Sequence, residues 1–119
     1  RARLFEGTDG YAAGEQRRDF VFVNDIVRVN LALAEGPVRN GVFNVGTGQA
    51  RTFNDVAKAL IARLGTGTID YVPFPMSLAG KYQSFTQADL SALRNSGYTE
   101  SFSQLEDGIA RSVDAWNRE

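Results

Sequence analysis

Two short apolar runs, each followed by a helical pattern, constrain this chain more than any other feature. The first is Phe20-Val21-Phe22-Val23 and the second is Val42-Phe43-Asn44-Val45. The first is wholly β-branched or aromatic and the second nearly so, which suits short strands buried on both faces, as in parallel sheets. After the first run, Asn24 or Asp25 can cap a helix from Ile26 to about Glu35, stopped by Gly36-Pro37. That stretch is apolar on most sides (Ile26, Val27, Val29, Leu31, Leu33) and is expected to sit under other structure. After the second run, Gly46-Thr47-Gly48 makes a turn. Thr52 with Asp55 then stands at capping-box spacing ahead of Phe53, Val56, Ala57, Leu60, Ile61 and Leu64, and Gly65 closes the helix.

The remaining elements follow the same logic. Residues 1–18 are polar and glycine-rich (Gly7, Gly10, Gly14) and read as loop. Ile69 to Phe74 reads as a third strand, which Pro73 pushes towards a sheet edge. Thr86 with Asp89 opens a helix to about Ser96, and Ser103 with Glu106 opens a last one striped by Leu105, Ile109, Val113 and Trp116. The expected fold is α/β, β-α-β-α-β-α-α, with about three short strands and four helices in a single domain over residues 1–119. Three strands make a thin parallel sheet, so a neighbouring domain is expected to complete it. The chain opens Arg1-Ala2-Arg3 and its one methionine is Met76, so we expect a piece of a longer protein.

Composition removes whole classes of chemistry. Of 119 residues none is Cys or His, which leaves no thiolate, no Ser-His-Asp arrangement and no ordinary zinc site. A net charge of −1 argues against a nucleic-acid partner, and no apolar run is long enough to span a membrane. The tyrosines are followed four residues on by Glu15, Pro75, Thr86 and Phe102, never by lysine. No complete catalytic set is expected, and no metal. Gly46-Thr47-Gly48 lacks the third glycine of a dinucleotide loop, because position 51 is Arg51; a plain strand-to-helix turn is the better reading. Arg17 and Arg18 stand at a strand entrance, where a guanidinium either binds phosphate bidentately or pairs with Asp19. Tyr82, in the loop Lys81 to Phe85, either meets a ligand or packs its ring.

Three segments carry a family likeness. Leu4 to Thr8, Arg18 to Asp25 and Phe43 to Gly48 resemble the C-terminal part of nucleotide-sugar enzymes of the extended short-chain dehydrogenase/reductase family, the NAD-dependent epimerases and dehydratases. Tyr71 to Pro75 and Lys81 to Leu90 are similar to the branch that epimerises ADP-heptose at C6 for the lipopolysaccharide inner core. The resemblance implies a C-terminal substrate-binding part without its N-terminal Rossmann domain. In the whole enzyme NADP carries the redox step, and none is expected to bind this chain alone. It implies substrate contacts from Phe5, Glu6, Gly7, Thr8, Arg18 and Tyr82, with Arg17 in reserve. It implies an ADP-heptose-type partner, a cytoplasmic location and no catalysis by these residues alone. The other readings are a stand-alone sugar-nucleotide or assembly module, and a piece of another epimerase or dehydratase. Strands at 20–23 and 42–45 that lack their neighbours would favour a homo-oligomer through open edges.

Overall fold

The computed structural model describes residues 1–36 and 41–118. In chain order these form β1 (Ala2–Phe5), β2 (Arg17–Arg18), α1 (Val23–Glu35), β3 (Arg51–Thr52), α2 (Phe53–Leu64), β4 (Ile69–Val72), a 3₁₀ turn (Met76–Leu78), α3 (Ser91–Asn95) and α4 (Leu105–Trp116). The α/β class and four helices match expectation; the strands differ. β1 pairs with β4 in parallel, Ala2 against Ile69 through Phe5 against Val72, and β2 pairs antiparallel with β3. The strand expected at Ile69–Phe74 stops at Val72, because Pro73 cannot donate to a ladder.

Neither apolar run is a strand. Phe20 to Phe22 is extended chain leading into α1, which begins at Val23 rather than Ile26. Phe20 turns its ring edge-on to Phe53, with centroids 5.3 Å apart. In the second run Val42 is 96% exposed, while Phe43 and Val45 pack against the core formed by Val29, Leu93 and Tyr98. Side-chain packing, not a ladder, holds both runs. The open-edge argument for a homo-oligomer at 20–23 and 42–45 therefore fails. Residues 1–18 are not all loop either. Alternation across Ala2 to Phe5 supplies half of the parallel pair, and Arg17–Arg18 supplies β2.

Helix starts show which local signals survive. The capping box of α2 forms as expected: Asp55 N–H donates to Thr52 Oγ1 (3.0 Å) and Thr52 N–H to Asp55 Oδ2 (3.1 Å). Gly65 ends α2 at φ 73°, a left-handed conformation that suits glycine. The other two expected boxes are absent. Asp25 lies inside the first turn of α1, and its buried carboxylate accepts from Ser103 N–H (2.7 Å) and from Arg28 (2.7 Å). Ser103 is thereby taken from α4, and Glu106 pairs with Arg51 at 2.6 Å. Thr86 donates its N–H to Arg17 O, so residues 86–90 form no helix and α3 starts only at Ser91, whose N–H donates to Asp89 Oδ1 at 2.9 Å. The Pro37 half of the expected stop after α1 lies outside the described residues.

α2 packs along α4, with Ala57 and Val113 buried between them and Arg63 paired with Asp114 at the flank. α1 buries one face through Val29 and leaves Val23, Val27 and Leu31 uncovered at 64%, 47% and 54% exposure. These three sit four residues apart, on one stripe. Trp116, expected in the core stripe of α4, is exposed as well. No helix among the described residues is long and apolar enough to cross a membrane.

Candidate functional site

The C-terminal ends of β1 and β4 lie side by side, and the chain leaves both towards the same region. Beyond β1, Glu6 N–H donates to Val72 O (2.8 Å) and Gly14 N–H to Phe5 O (3.0 Å). Buried Gln16 adds a bond from Nε2 to Glu6 O at 3.0 Å. The loop between Glu6 and Glu15 is thus pinned at its base. At its tip, Tyr11 N–H donates to Thr8 O (3.0 Å) across Asp9 and Gly10, both at positive φ (53° and 80°). Asp-Gly at those positions is the signature of a tight turn with two left-handed residues. Gly7 must be glycine for another reason, since a Cβ there would lie 2.2 Å from Tyr11 O.

Phe5, Tyr82 and Arg18 come together. The rings of Phe5, Phe74 and Tyr82 meet edge-to-face, with centroids 5.4 to 6.2 Å apart. The Arg18 guanidinium lies over the Tyr82 ring, 5.0 Å from its centroid, and Nη1 donates to Arg17 O. A cavity of about 110 Å³ opens beside them, lined by Arg3, Leu4, Phe5, Gln16, Phe53 and Tyr82. Glu6 and Gly7 are exposed and Thr8 half-buried, on the loop above. Among the described residues no carboxylate lies within ion-pair distance of Arg18, and neither Gly7 nor Thr8 donates its amide to a protein acceptor. Arg17 is exposed. Its backbone joins the site to residues 84–86, taking a bond from Thr86 N–H and giving one to Ser84 O.

Asp19 does not pair with either arginine. Its carboxylate accepts from Thr47 Oγ1 (2.5 Å), Thr47 N–H (2.8 Å), Gly48 N–H (2.8 Å) and Ala88 N–H (3.0 Å). Burial pushes its pKa up, but the Thr47 hydroxyl and the Ala88, Thr47 and Gly48 amides outweigh that and hold it below the ordinary value. These bonds also settle Gly46-Thr47-Gly48. The amides a phosphate would need are already given to Asp19, so the loop does not fit a dinucleotide. Gly46 is required by crowding: a Cβ would meet Asp19 Oδ2 at 2.6 Å and Ala88 Cβ at 2.8 Å.

Several residues at this site escaped sequence reasoning. Phe74 completes the aromatic group, and its only signal is the rigid Pro73-Phe74-Pro75 frame. Gln16, Ser84 and Asn54 are buried polar residues whose partners lie far off in sequence. Asn54 Nδ2 donates to Ala13 O and Glu15 Oε1, and Tyr71 donates its hydroxyl to Asn54 Oδ1 at 2.9 Å. No local pattern marks such residues.

The profile of the NAD dependent epimerase/dehydratase family matches residues 6–46. The ADP-L-glycero-D-manno-heptose-6-epimerase of Alkalilimnicola ehrlichii is 56% identical over 95% of this chain and 35% of its own length. That of Thiobacillus denitrificans is 48% identical over 96% of this chain and 39% of its own. The solved ADP-L-glycero-D-manno-heptose-6-epimerase of Helicobacter pylori superposes with a TM-score of 0.78 at 28% identity, over 99% of this chain and 33% of that one. The chain spans little more than a third of the length of the curated relatives it matches. Over that third it is similar, in sequence and in fold, to ADP-L-glycero-D-manno-heptose-6-epimerases.

Proposed function

We propose that this chain is the C-terminal portion of an ADP-L-glycero-D-manno-heptose 6-epimerase and forms one wall of its sugar-nucleotide site, as a single domain. The observation that carries the reading is the meeting of Arg18, Tyr82 and Phe5, the last of these leading directly into the Glu6–Thr8 loop, in a chain 48 to 56% identical to relatives of that name. Arg18 has no carboxylate partner among the described residues and spends only Nη1 on Arg17 O, so its remaining N–H groups are available to a diphosphate. The Arg18–Tyr82 stack fixes the guanidinium plane. Tyr82 and Phe5 offer apolar faces with a hydroxyl at the rim. The Gly7 and Thr8 amides are donors for the nucleotide end, and Glu6 is an acceptor for hydroxyls. The division of labour is binding and orientation.

Epimerisation at the heptose C6 needs hydride to leave one face and return to the other, and a nicotinamide nucleotide supplies that chemistry. The Gly46-Thr47-Gly48 loop does not fit the diphosphate of that cofactor, because the Thr47 and Gly48 amides are occupied by Asp19. NADP binding and the proton-transfer residues therefore belong, in this reading, to the rest of a cytoplasmic enzyme. The open outer edges of β1 and β4 support self-association, which light scattering across concentrations tests.

Calorimetry with ADP-L-glycero-D-manno-heptose tests the site. The 119-residue chain should bind it, and Arg18→Ala and Tyr82→Ala should each weaken binding about tenfold or more, the scale of lost charge-assisted hydrogen bonds. Equal affinity in wild type and both variants would reject the site. Turnover by the purified chain with NADP added would reject the division of labour.

A further inference from the structure

The turn that carries Gly7 and Thr8 is joined to the opposite wall of the site by one side-chain bond. Ser84, a buried residue two positions beyond Tyr82, donates its hydroxyl to Asp9 Oδ2 at 2.6 Å. Asp9 is the one non-glycine residue with positive φ among the described residues, and with Gly10 it forms the bend of the turn. That bend turns the Asp9 carboxylate towards Ser84. The backbone of Ser84 is fixed in turn, since its carbonyl accepts from Arg17 N–H at 2.9 Å, next to Arg18. The other hydrogen bonds from the loop to the rest of the chain, at Glu6, Ala13, Gly14, Glu15 and Gln16, all lie towards its base.

We propose that the Ser84–Asp9 hydrogen bond is a latch that positions the Gly7–Thr8 turn over the Arg18–Tyr82 wall, and that the affinity for a nucleoside-diphosphate sugar depends on it. The inference rests on the sugar-nucleotide reading above. Ser84 and Asp9 are positioning residues: they act by setting the distance between two groups of contacts, one on each side of the ligand. A latched turn holds its free amides where the bound ligand needs them, so less order is lost on binding. The bond is charge-assisted, with a hydroxyl donor and a carboxylate acceptor.

Two measurements on the 119-residue chain test this. NMR amide hydrogen exchange reads the latch without ligand. In Ser84→Ala the Tyr11 amide should exchange about tenfold faster, while the Gly65 amide at the end of α2 is unchanged; Ser84→Thr, which restores a hydroxyl, should return Tyr11 to its wild-type rate. Calorimetry with ADP-L-glycero-D-manno-heptose then reads the consequence. Ser84→Ala should bind about tenfold more weakly and Ser84→Thr close to wild type. Asp9→Asn, which keeps the turn preference but loses the charge, should weaken binding in the same direction by a smaller factor, and it covers the case in which Ser84→Ala does not fold. An unchanged Tyr11 exchange rate in Ser84→Ala overturns the latch. So does faster exchange with wild-type affinity. Absence of binding by the wild-type chain is a different result: it overturns the sugar-nucleotide reading and the positioning role with it.

Discussion

Asp19 and Asp25 each join segments that are distant in the chain. Asp19 gathers Thr47, Gly48 and Ala88, and Asp25 gathers Ser103 and Arg28. For both, burial raises the pKa; hydrogen bonds, and for Asp25 also Arg28, more than compensate, so each lies below the ordinary aspartate value. A carboxyl whose pKa is depressed by folding stabilises the native state above its unfolded pKa of about 3.9 and loses that contribution as pH falls through the folded value. Stability should therefore hold down to about pH 5 and drop as pH falls below about 4. Urea midpoints measured from pH 6 to pH 3 check this, and Asp19→Asn should flatten the slope. A midpoint as steep with pH in Asp19→Asn as in wild type would contradict it. The sequence reading had offered Asp19 only as a partner for arginine. Which groups a buried carboxylate meets is decided by tertiary contacts, and no spacing rule carries that information.

At the scale of elements, legibility followed the range of the forces involved. The start of α2 is written within four residues, Thr52 to Asp55, and its end in Gly65, so both could be read directly. Thr52→Ala should cost about 1 kcal/mol of stability, read as a shift in the denaturation midpoint at unchanged slope. A negligible shift would mean the capping box contributes nothing to the folded state. Strands behaved differently. Ala2–Phe5 was hidden in a polar, glycine-rich stretch because its partner, Ile69–Val72, lies beyond two helices. Phe20–Val23 and Val42–Val45 have strand composition but no strand to pair with among the described residues; Phe20 packs on Phe53, Val23 starts α1, and Phe43 and Val45 pack on the Val29 core. Of the candidate site, Phe5 and Tyr82 were named through family likeness alone, and the structure brings their rings together. Phe74 and the Ser84–Asp9 bond were not, being products of how the loops after β1 and β4 meet.

The whole molecule is a slab, 48 × 39 × 19 Å, with a radius of gyration of 16.7 Å. A compact chain of this length is expected near about 13.5 Å. Its accessible surface of 7964 Å² likewise exceeds the roughly 6300 Å² expected for a monomer of this mass. The uncovered stripe of Val23, Val27 and Leu31 is part of that excess. Less apolar surface is buried on folding, so the heat-capacity change of unfolding should fall below the usual range of about 1.4 to 1.8 kcal/mol/K for 119 residues. Differential scanning calorimetry on dilute protein measures it. A value within the usual range would show that the chain buries this surface in solution.

In the proposed function the Arg18–Tyr82–Phe5 wall and the Gly7–Thr8 turn receive a sugar nucleotide. An NMR titration of the ¹⁵N-labelled chain with ADP-L-glycero-D-manno-heptose tests it most directly, because every amide reports its own position. The account predicts the largest shifts at Gly7, Thr8, Arg18 and Tyr82, with α2 and α4 nearly still. Shifts confined to the Gly46–Gly48 loop or to the α1 face, or none at a saturating excess of ligand, would contradict it.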